Sequence, residues 1–196
     1  MRLMRTSEVT QRPVVTMAGE DIAQIKDVVY AADGGSVIGF TLAGRGLFAG
    51  PLKEGLPWEG VSALGADAVM VRDESVLVSA PSIVEASRGS AGSAGDVLGS
   101  QVLTEEGIGL GTVRDVVVSV DVTGGEQCDV VGYEVEASEG LGTQGQMVLI
   151  PLPDTMAASG EHLMVPSSVK DFVGHDLAGF GAAVDRFRSH LTESRP

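Results

Sequence analysis

The sequence is poor in three kinds of residue. Its 196 residues include one cysteine, Cys128, only 4% aromatic residues, and 13 Lys or Arg against 27 Asp or Glu, which gives a formal net charge of −14. A single cysteine excludes an intrachain disulfide and fits a reducing compartment. Nucleic-acid domains bind phosphates through clustered Lys and Arg, and no such cluster occurs here. The composition therefore argues against nucleic acid and favours a basic protein as partner.

The chain also lacks long hydrophobic runs. Its opening, MRLMRTSEVTQ, has no signal-peptide core, and no run approaches the roughly 18 apolar residues of a membrane helix. We therefore expect a cytoplasmic protein with no membrane insertion. Glycine, by contrast, is abundant at 27 residues, and 43% of the chain is hydrophobic. This balance predicts short strands joined by tight turns around a core of Val, Leu, Ile and Ala.

The sequence repeats itself. With an offset of 88, residues 25–29 (IKDVV) align with residues 113–117 (VRDVV), and the offset grows where DGG corresponds to the longer turn DVTGGEQ. The other matched positions are Val14-Val15-Thr16 with Val102-Leu103-Thr104, Gly19 with Gly107, Val37-Ile38-Gly39-Phe40 with Val130-Val131-Gly132-Tyr133, Pro51-Leu52 with Pro151-Leu152, and Met70-Val71 with Met164-Val165. The match predicts two copies of one small domain.

The repeat predicts the domain organisation. Residues 1–84 form the first barrel, residues 85–95 a Gly/Ser-rich linker, residues 96–174 the second barrel, and residues 175–196 a C-terminal amphipathic helix and tail. The predicted fold class is all-β: two tandem small β barrels of about six strands each, followed by a short α-helix. We expect the barrels to pack together about an approximate two-fold axis, because each alone is too small to bury much surface.

The stretch EEGIGLGTVRDVVVSV, residues 105–120, raises the question of a phosphate-binding loop. A glycine cradle for phosphate is followed by a helix, whereas these glycines precede a β-branched strand pattern. The kinase-type pattern also fails, because Thr112 stands where its third glycine would be. The first copy keeps only Gly19. The pattern therefore predicts a bend or bulge and no nucleotide cofactor.

Residues that could carry chemistry are few. The candidates for catalysis are His162, His175, His190 and Cys128. None has a metal-ligand spacing, and no nucleophile elbow occurs, so no metal, cofactor or enzymatic activity is predicted. Asp27 and Asp115 hold matched places in the two copies. Since equivalent positions of separate barrels are normally far apart, we expect them to serve cross-strand or turn-capping roles rather than acid–base catalysis.

One candidate partner site is the loop near the only tryptophan. Its proposed contact residues are Leu47, Phe48, Leu56 and Trp58. If exposed, these side chains would form an aromatic anchor for another protein. The alternative is that Trp58 closes the end of its own barrel.

The second candidate is the C-terminal segment. Leu177, Phe180, Val184, Phe187 and Leu191 recur at steps of three and four, which predicts one apolar stripe on a helix over 177–191 with Asp176 as its N-cap. The stripe either docks on the chain's own barrels or forms a homodimer or partner contact. The pattern alone leaves both open, and Phe180, Val184, Phe187 and Leu191 are the proposed partner residues.

The two copies together resemble the PRC-barrel family. The resemblance rests on VVT followed by glycine, IKDVVYAADGGSVIGF and LPWEGVSALGADAVMV, and again on GTVRDVVVSV and VVGYEVE. In that family the barrel forms the cytoplasmic part of the photosynthetic reaction-centre H subunit and the C-terminal domain of a ribosome-maturation factor that binds a ribosomal protein. The resemblance thus implies a protein-interaction or adaptor module. The alternatives are a ribosome-maturation helper or a protein associated with electron transfer.

Overall fold

A computed structural model describes most of the chain. The described residues are 2–31, 34–46, 49–87, 97–120, 127–153 and 162–193. The first half contains β1 (Arg2–Arg5), β2 (Pro13–Thr16), β3 (Asp21–Tyr30), β4 (Val37–Ala43), β5 (Pro51–Pro57), β6 (Val61–Leu64), β7 (Val69–Val71), β8 (Val78–Ser79) and helix α1 (Ala80–Ala86). The second half contains β9 (Gln101–Thr104), β10 (Gly109–Val120), β11 (Cys128–Ala137), β12 (Met147–Pro151), β13 (His162–Val165) and helix α2 (Leu177–Glu193).

The strands form two sheets, one for each copy of the repeat. Within the described ranges, the first sheet has the order β6-β7-β2-β3-β4-β5-β8, and the second has the order β12-β11-β10-β9-β13 with β1 added to β10. The predicted all-β class with a C-terminal helix is confirmed.

The pairing of the strands confirms the repeat. In the first sheet β2 runs parallel to β7 and places Val15 opposite Met70. In the second, β9 runs parallel to β13 and places Leu103 opposite Met164. Both long strands, β3 and β10, also carry a register shift at matched positions, just before Asp27 and Asp115 respectively. The two copies therefore share irregularities as well as strands.

One predicted correspondence is wrong. The sequence match places Pro51 against Pro151, but Pro57 is the residue that lies opposite Gly39, as Pro151 lies opposite Gly132. Because Gly39 and Gly132 are equivalent, Pro57 is the structural counterpart of Pro151. Both prolines lie in β5, Pro51 at its start and Pro57 at its end, and only the strand pairing distinguishes them.

The glycines of residues 105–120 form a turn and a bulge. Gly107, with a φ of +79°, closes the turn between β9 and β10, as Gly19 does at +86° in the first copy. Gly109 begins β10, and the pairing with β9 shifts register between Gly109 and Gly111. Gly111 has a φ of +150°. A strand follows these glycines, so the predicted bend is confirmed.

Strand β1 crosses from the first copy to the second. Although it precedes the first barrel in sequence, β1 pairs antiparallel with β10, with Arg2 opposite Val120 and Arg5 opposite Val117. The Arg5 guanidinium also binds the Glu134 carboxylate of β11, with Nε to Oε2 at 2.9 Å and Nη2 to Oε1 at 2.6 Å. The predicted segment 1–84 thus supplies a strand to the second sheet.

The two copies share one hydrophobic core, to which both sheets contribute buried side chains. They also meet at an antiparallel bridge between Ser36 and Asp129, where the Val130 N–H donates to the Gly35 carbonyl at 2.9 Å. Ser36 and Asp129 are equivalent, since Val37 aligns with Val130. A contact between equivalent residues is the self-complementary kind that a two-fold axis produces. The two copies therefore pack together within one chain, and the two-fold axis stays a prediction.

Each sheet is covered by the helix that follows it. Ile83 of α1 packs against Gly39 and Gly55, and Phe180 of α2 packs against Gly132. Helix α1 is missing from the prediction, and it extends through Ala86, two residues into the predicted linker. Residues 88–95 of that linker lie outside the described residues. The N-terminus of α2 is as predicted, since the Gly179 N–H donates to Oδ1 of Asp176 at 2.8 Å.

Candidate functional site

The loop predicted to bind a partner through Trp58 is only partly described. Leu47 and Phe48 lie outside the described residues. Leu56 is fully buried in the core, and Trp58 is 9% exposed, with its ring centroid 6.1 Å from that of Phe40. These two side chains thus occupy the interior of the first barrel, as the alternative reading expects, and their role towards a partner stays a prediction.

The stripe of α2 packs against this chain's own sheets. Phe180 and Val184 are buried against the outer face of the second sheet, together with Leu3 of β1. Phe187 is fully buried in the main core, and Leu191 packs partly buried against it. Of the two open alternatives, the structure has the helix docked within the chain. Whether the same stripe also serves association stays a prediction.

A cleft lies between the two copies and is lined by residues of β3 and β10 and of the segments that precede β2 and β9. Its volume is about 280 Å³. Three pairs of equivalent residues line it: Thr10 and Leu98, Asp27 and Asp115, and Val28 and Val116. Asp27 and Asp115 therefore face one cavity, contrary to the expectation that they would be far apart. The shared core brings them to one cleft, because it packs the two sheets against each other.

The two carboxylates of the cleft have different surroundings. Asp115 is 6% exposed, and its Oδ1 accepts hydrogen bonds from the Thr6 hydroxyl at 3.0 Å and from the Ser7 and Val116 N–H groups at 3.2 and 2.8 Å. The Asp27 side chain is 61% exposed and contacts Lys26 at 3.2 Å. Asp115 therefore performs the predicted turn-capping role, while Asp27 faces solvent.

Asp27 makes its cross-strand contact with Thr41 of β4. The Thr41 hydroxyl donates to Asp27 Oδ2 at 3.0 Å and accepts from the Asp27 N–H at 3.1 Å. This is the cross-strand role predicted for matched aspartates. Both side-chain contacts of Asp27 use Oδ2, whereas Asp115 receives its hydrogen bonds on Oδ1.

A chain of hydrogen bonds joins the two copies at the base of the cleft. The Tyr30 phenol donates to the Thr6 hydroxyl at 3.1 Å, and that hydroxyl donates to Asp115. Burial raises the pKa of Tyr30 above its ordinary value, so the phenol stays protonated and remains a donor. Arg114 also lines the cleft, but its guanidinium binds Glu136 at 2.5 and 2.8 Å. The cation of the cleft is thus already paired.

Comparison with known families agrees with this architecture. The family model of the PRC-barrel domain matches residues 1–79. Residues 1–79 are therefore similar to a PRC-barrel domain. No curated protein matches the chain. Because the second copy repeats the strand order, the parallel pairing and the bulge of the matched region, its fold is similar to that of residues 1–79.

The residues that could carry chemistry form no metal site in the described part of the chain. Among the described residues, no three His, Cys, Asp or Glu side chains are grouped so that they could hold a metal ion. His190 packs against Phe172 with ring centroids 5.5 Å apart, and Cys128 is buried in the shared core. Neither described α-helix has the length and apolar character needed to cross a lipid bilayer.

Cys128 is expected to be an unreactive thiol. Burial raises its pKa to about 12, with Asp129 adding to the shift. At pH 8 the thiolate fraction should therefore be about a thousandfold below that of an ordinary exposed cysteine. We predict that Ellman's reagent modifies the native protein at least that much more slowly than it modifies free cysteine, and that urea removes the difference. Rapid modification without denaturant would contradict the burial of Cys128.

Proposed function

We propose that this protein is a non-enzymatic interaction module in which two PRC-type barrels act as one adaptor body for a protein partner. The observation that carries the proposal is the cleft, which takes its walls from both copies. Leu98, 59% exposed, stands at this cleft together with the carboxylate of Asp27. Apolar surface rimmed by polar residues is typical of the sites through which proteins bind other proteins.

The charge of the chain supports a basic partner. Acidic residues exceed basic ones by 14, and the described cation in the cleft, Arg114, is bound to Glu136. A positively charged segment would approach this surface with favourable electrostatics, and the attraction would weaken as salt screens it. Similarity to the PRC-barrel family is consistent with this reading, because the resemblance implies interaction rather than catalysis.

A comparison of two surface variants tests the proposed function. Leu98→Asp places a charge in the cleft, and Met147→Asp places the same charge on β12, at a side chain that is 43% exposed. We expect wild type and Met147→Asp to retain the same proteins from a native lysate at low salt, and Leu98→Asp to lose them. Quantitative mass spectrometry of the eluates measures the difference.

Two results would count against the adaptor. If Leu98→Asp retains everything that wild type retains, the cleft is not the contact surface. If the purified wild type turns over a substrate or absorbs visible light as a bound chromophore would, the non-enzymatic reading fails and the electron-transfer alternative gains. Retention of small-subunit ribosomal proteins, with co-sedimentation on small subunits at low salt, would support the ribosome-maturation alternative.

A further inference from the structure

Strand β1 is bound by the second copy, although it precedes the first copy in the chain. It pairs with residues 117–120 of β10. The Arg5 guanidinium binds Glu134 of β11 through two hydrogen bonds. In the turn that follows, the Thr6 hydroxyl binds Asp115 of β10. The same contacts would form with the second sheet of another copy of this chain, because none of them requires that the strand and the sheet share one polypeptide.

The segment that joins β1 to the first sheet contains a strained backbone position. Among the residues that the structure describes, Gln11 is the one non-glycine residue with a positive φ, at +70°. The residue at the matched position of the second copy is Gly99, with a φ of +89°. Glycine adopts this left-handed region freely, whereas a residue with a side chain does so at a cost. Gln11 is therefore strained in a turn that its counterpart makes without strain.

Gln11 lies at the border between the first sheet and the segment that carries β1. The Gln11 N–H donates to the Ile25 carbonyl at 2.8 Å, and the Ile25 N–H donates to the Arg12 carbonyl at 2.9 Å. The chain from Gln11 onwards is thus held by β3. Val9 precedes this border, is buried in the shared core, and would move together with β1. Opening of the turn at Gln11 would release its strain and leave both sheets intact.

The contacts of β1 identify one site for such a strand in each chain. In the second copy, Glu134 of β11 stands opposite Asp115 and binds Arg5. In the first copy, Thr41 of β4 stands opposite Asp27 and offers Arg5 no carboxylate. With one strand and one site per chain, two chains that exchange β1 fill both sites reciprocally. Exchange therefore closes at a dimer.

We propose that this chain forms a homodimer by strand exchange, in which β1 of each copy pairs with β10 of the other. Exchange of an identical element is a low-cost route to a dimer, since the element keeps the same contacts in both states. The release of strain at Gln11 then favours the dimer. This inference goes beyond the adaptor function and does not depend on it.

A charge-exchange experiment distinguishes this dimer from one formed through another surface. Arg5→Glu sets two carboxylates against each other, and Glu134→Arg sets two guanidinium groups against each other. Only a mixed dimer with exchanged strands brings opposite charges together at both sites. After joint refolding, we expect mixed dimers to outnumber the two homodimers together by about tenfold, against equal numbers at random. Native mass spectrometry with one variant ¹⁵N-labelled measures the ratio.

The matched control is a second ion pair of the same type. Arg114 and Glu136 both belong to the second sheet, so neither would move with β1. A mixture of Arg114→Glu and Glu136→Arg should therefore give mixed dimers in random proportion. A chain that carries both Arg5→Glu and Glu134→Arg restores opposite charges and should dimerise as wild type does.

The turn at Gln11 supplies a second test that leaves the ion pair unchanged. Gln11→Gly removes the strain from the monomer and should weaken the dimer about tenfold or more, since each dimer opens two such turns. Gln11→Val should strengthen the dimer, because a β-branched side chain tolerates a positive φ even less well. Sedimentation velocity in about 0.3 M salt, which screens the repulsion between chains of net charge −14, measures both effects.

Three results would overturn the inference. If wild type stays a monomer at hundreds of micromolar, β1 is not exchanged. If Arg5→Glu and Glu134→Arg form mixed dimers only in random proportion, another surface joins the copies. If Gln11→Gly and Gln11→Val dimerise equally well, strain in the turn does not favour exchange. The pull-down with Leu98→Asp decides the adaptor function separately.

Discussion

Replacing Phe187 by Asp is expected to lower the free energy of unfolding by more than about 4 kcal/mol, because loss of a buried Phe costs about 3–5 kcal/mol and a buried carboxylate adds to it. Phe187 is fully buried, with its ring centroid 5.4 Å from that of Phe172. Phe180→Asp should act similarly, since Phe180 is fully buried against Gly132. Urea unfolding of the variants measures the effect.

The matched control for these variants is Ala182→Asp, on the exposed face of the same helix. It introduces the same side chain and should change stability by about 0.5 kcal/mol. If Phe187→Asp and Phe180→Asp instead melt like wild type but turn a dimer into a monomer in sedimentation, the stripe of α2 serves association. If they both melt and sediment like wild type, the stripe packs against a partner absent from the sample.

Replacing Gly111 by Ala should destabilise the second sheet by about 2–6 kcal/mol, as backbone strain and overpacking cost about 1–3 kcal/mol each. The φ of Gly111 is +150°, a value that residues other than glycine rarely adopt. A Cβ there would lie 2.6 Å from Cγ1 of Val135 and closer still to the Glu136 carbonyl oxygen. The neighbour is backbone of β11, which cannot move without breaking the pairing of β10 with β11.

Gly109→Ala is the control for this prediction. At Gly109 the nearest atoms to an added Cβ are 3.9 Å away, which is ordinary contact. We expect the free energy of unfolding to change by less than about 1 kcal/mol, in either direction. Thermal unfolding of both variants measures the contrast. A third variant replaces both Gly109 and Gly111 by Ala. If a nucleotide raises the Tm of wild type but not of this variant, the glycines bind phosphate and the interpretation as a bulge is wrong.

Local patterns predicted the elements that each copy repeats. Strands β2, β3, β4, β9, β10, β11 and β12 follow apolar, β-branched runs bounded by Gly, Asp or Pro, and α2 follows a stripe spaced by three and four. Asp176 has its predicted cap contact. These signals are local, because alternation and turn chemistry act within a few residues. The repeat strengthened them, since each copy supports the reading of the other.

The missed elements depend on distant partners. The four residues of β1, RLMR, show no strand pattern stronger than that of many loops, and β10 makes them a strand. Helix α1 is one short segment whose Ile83 docks on Gly39, over forty residues earlier in the chain. The cleft escaped prediction for the same reason. Equivalent aspartates in tandem domains are far apart in sequence, and only the packing of the domains decides their distance.

The sequence by itself determined the all-β class, the duplication and the acidic surface, because periodicity, repetition and charge are properties of the chain before it folds. The tertiary structure decided where β1 pairs, which face α2 covers, and that Asp27 and Asp115 line one cleft. Each of these depends on burying one apolar surface against another, and the free energy of that burial depends on the area removed from water rather than on distance along the chain. Leu98 and Asp27 became a candidate site only through that packing.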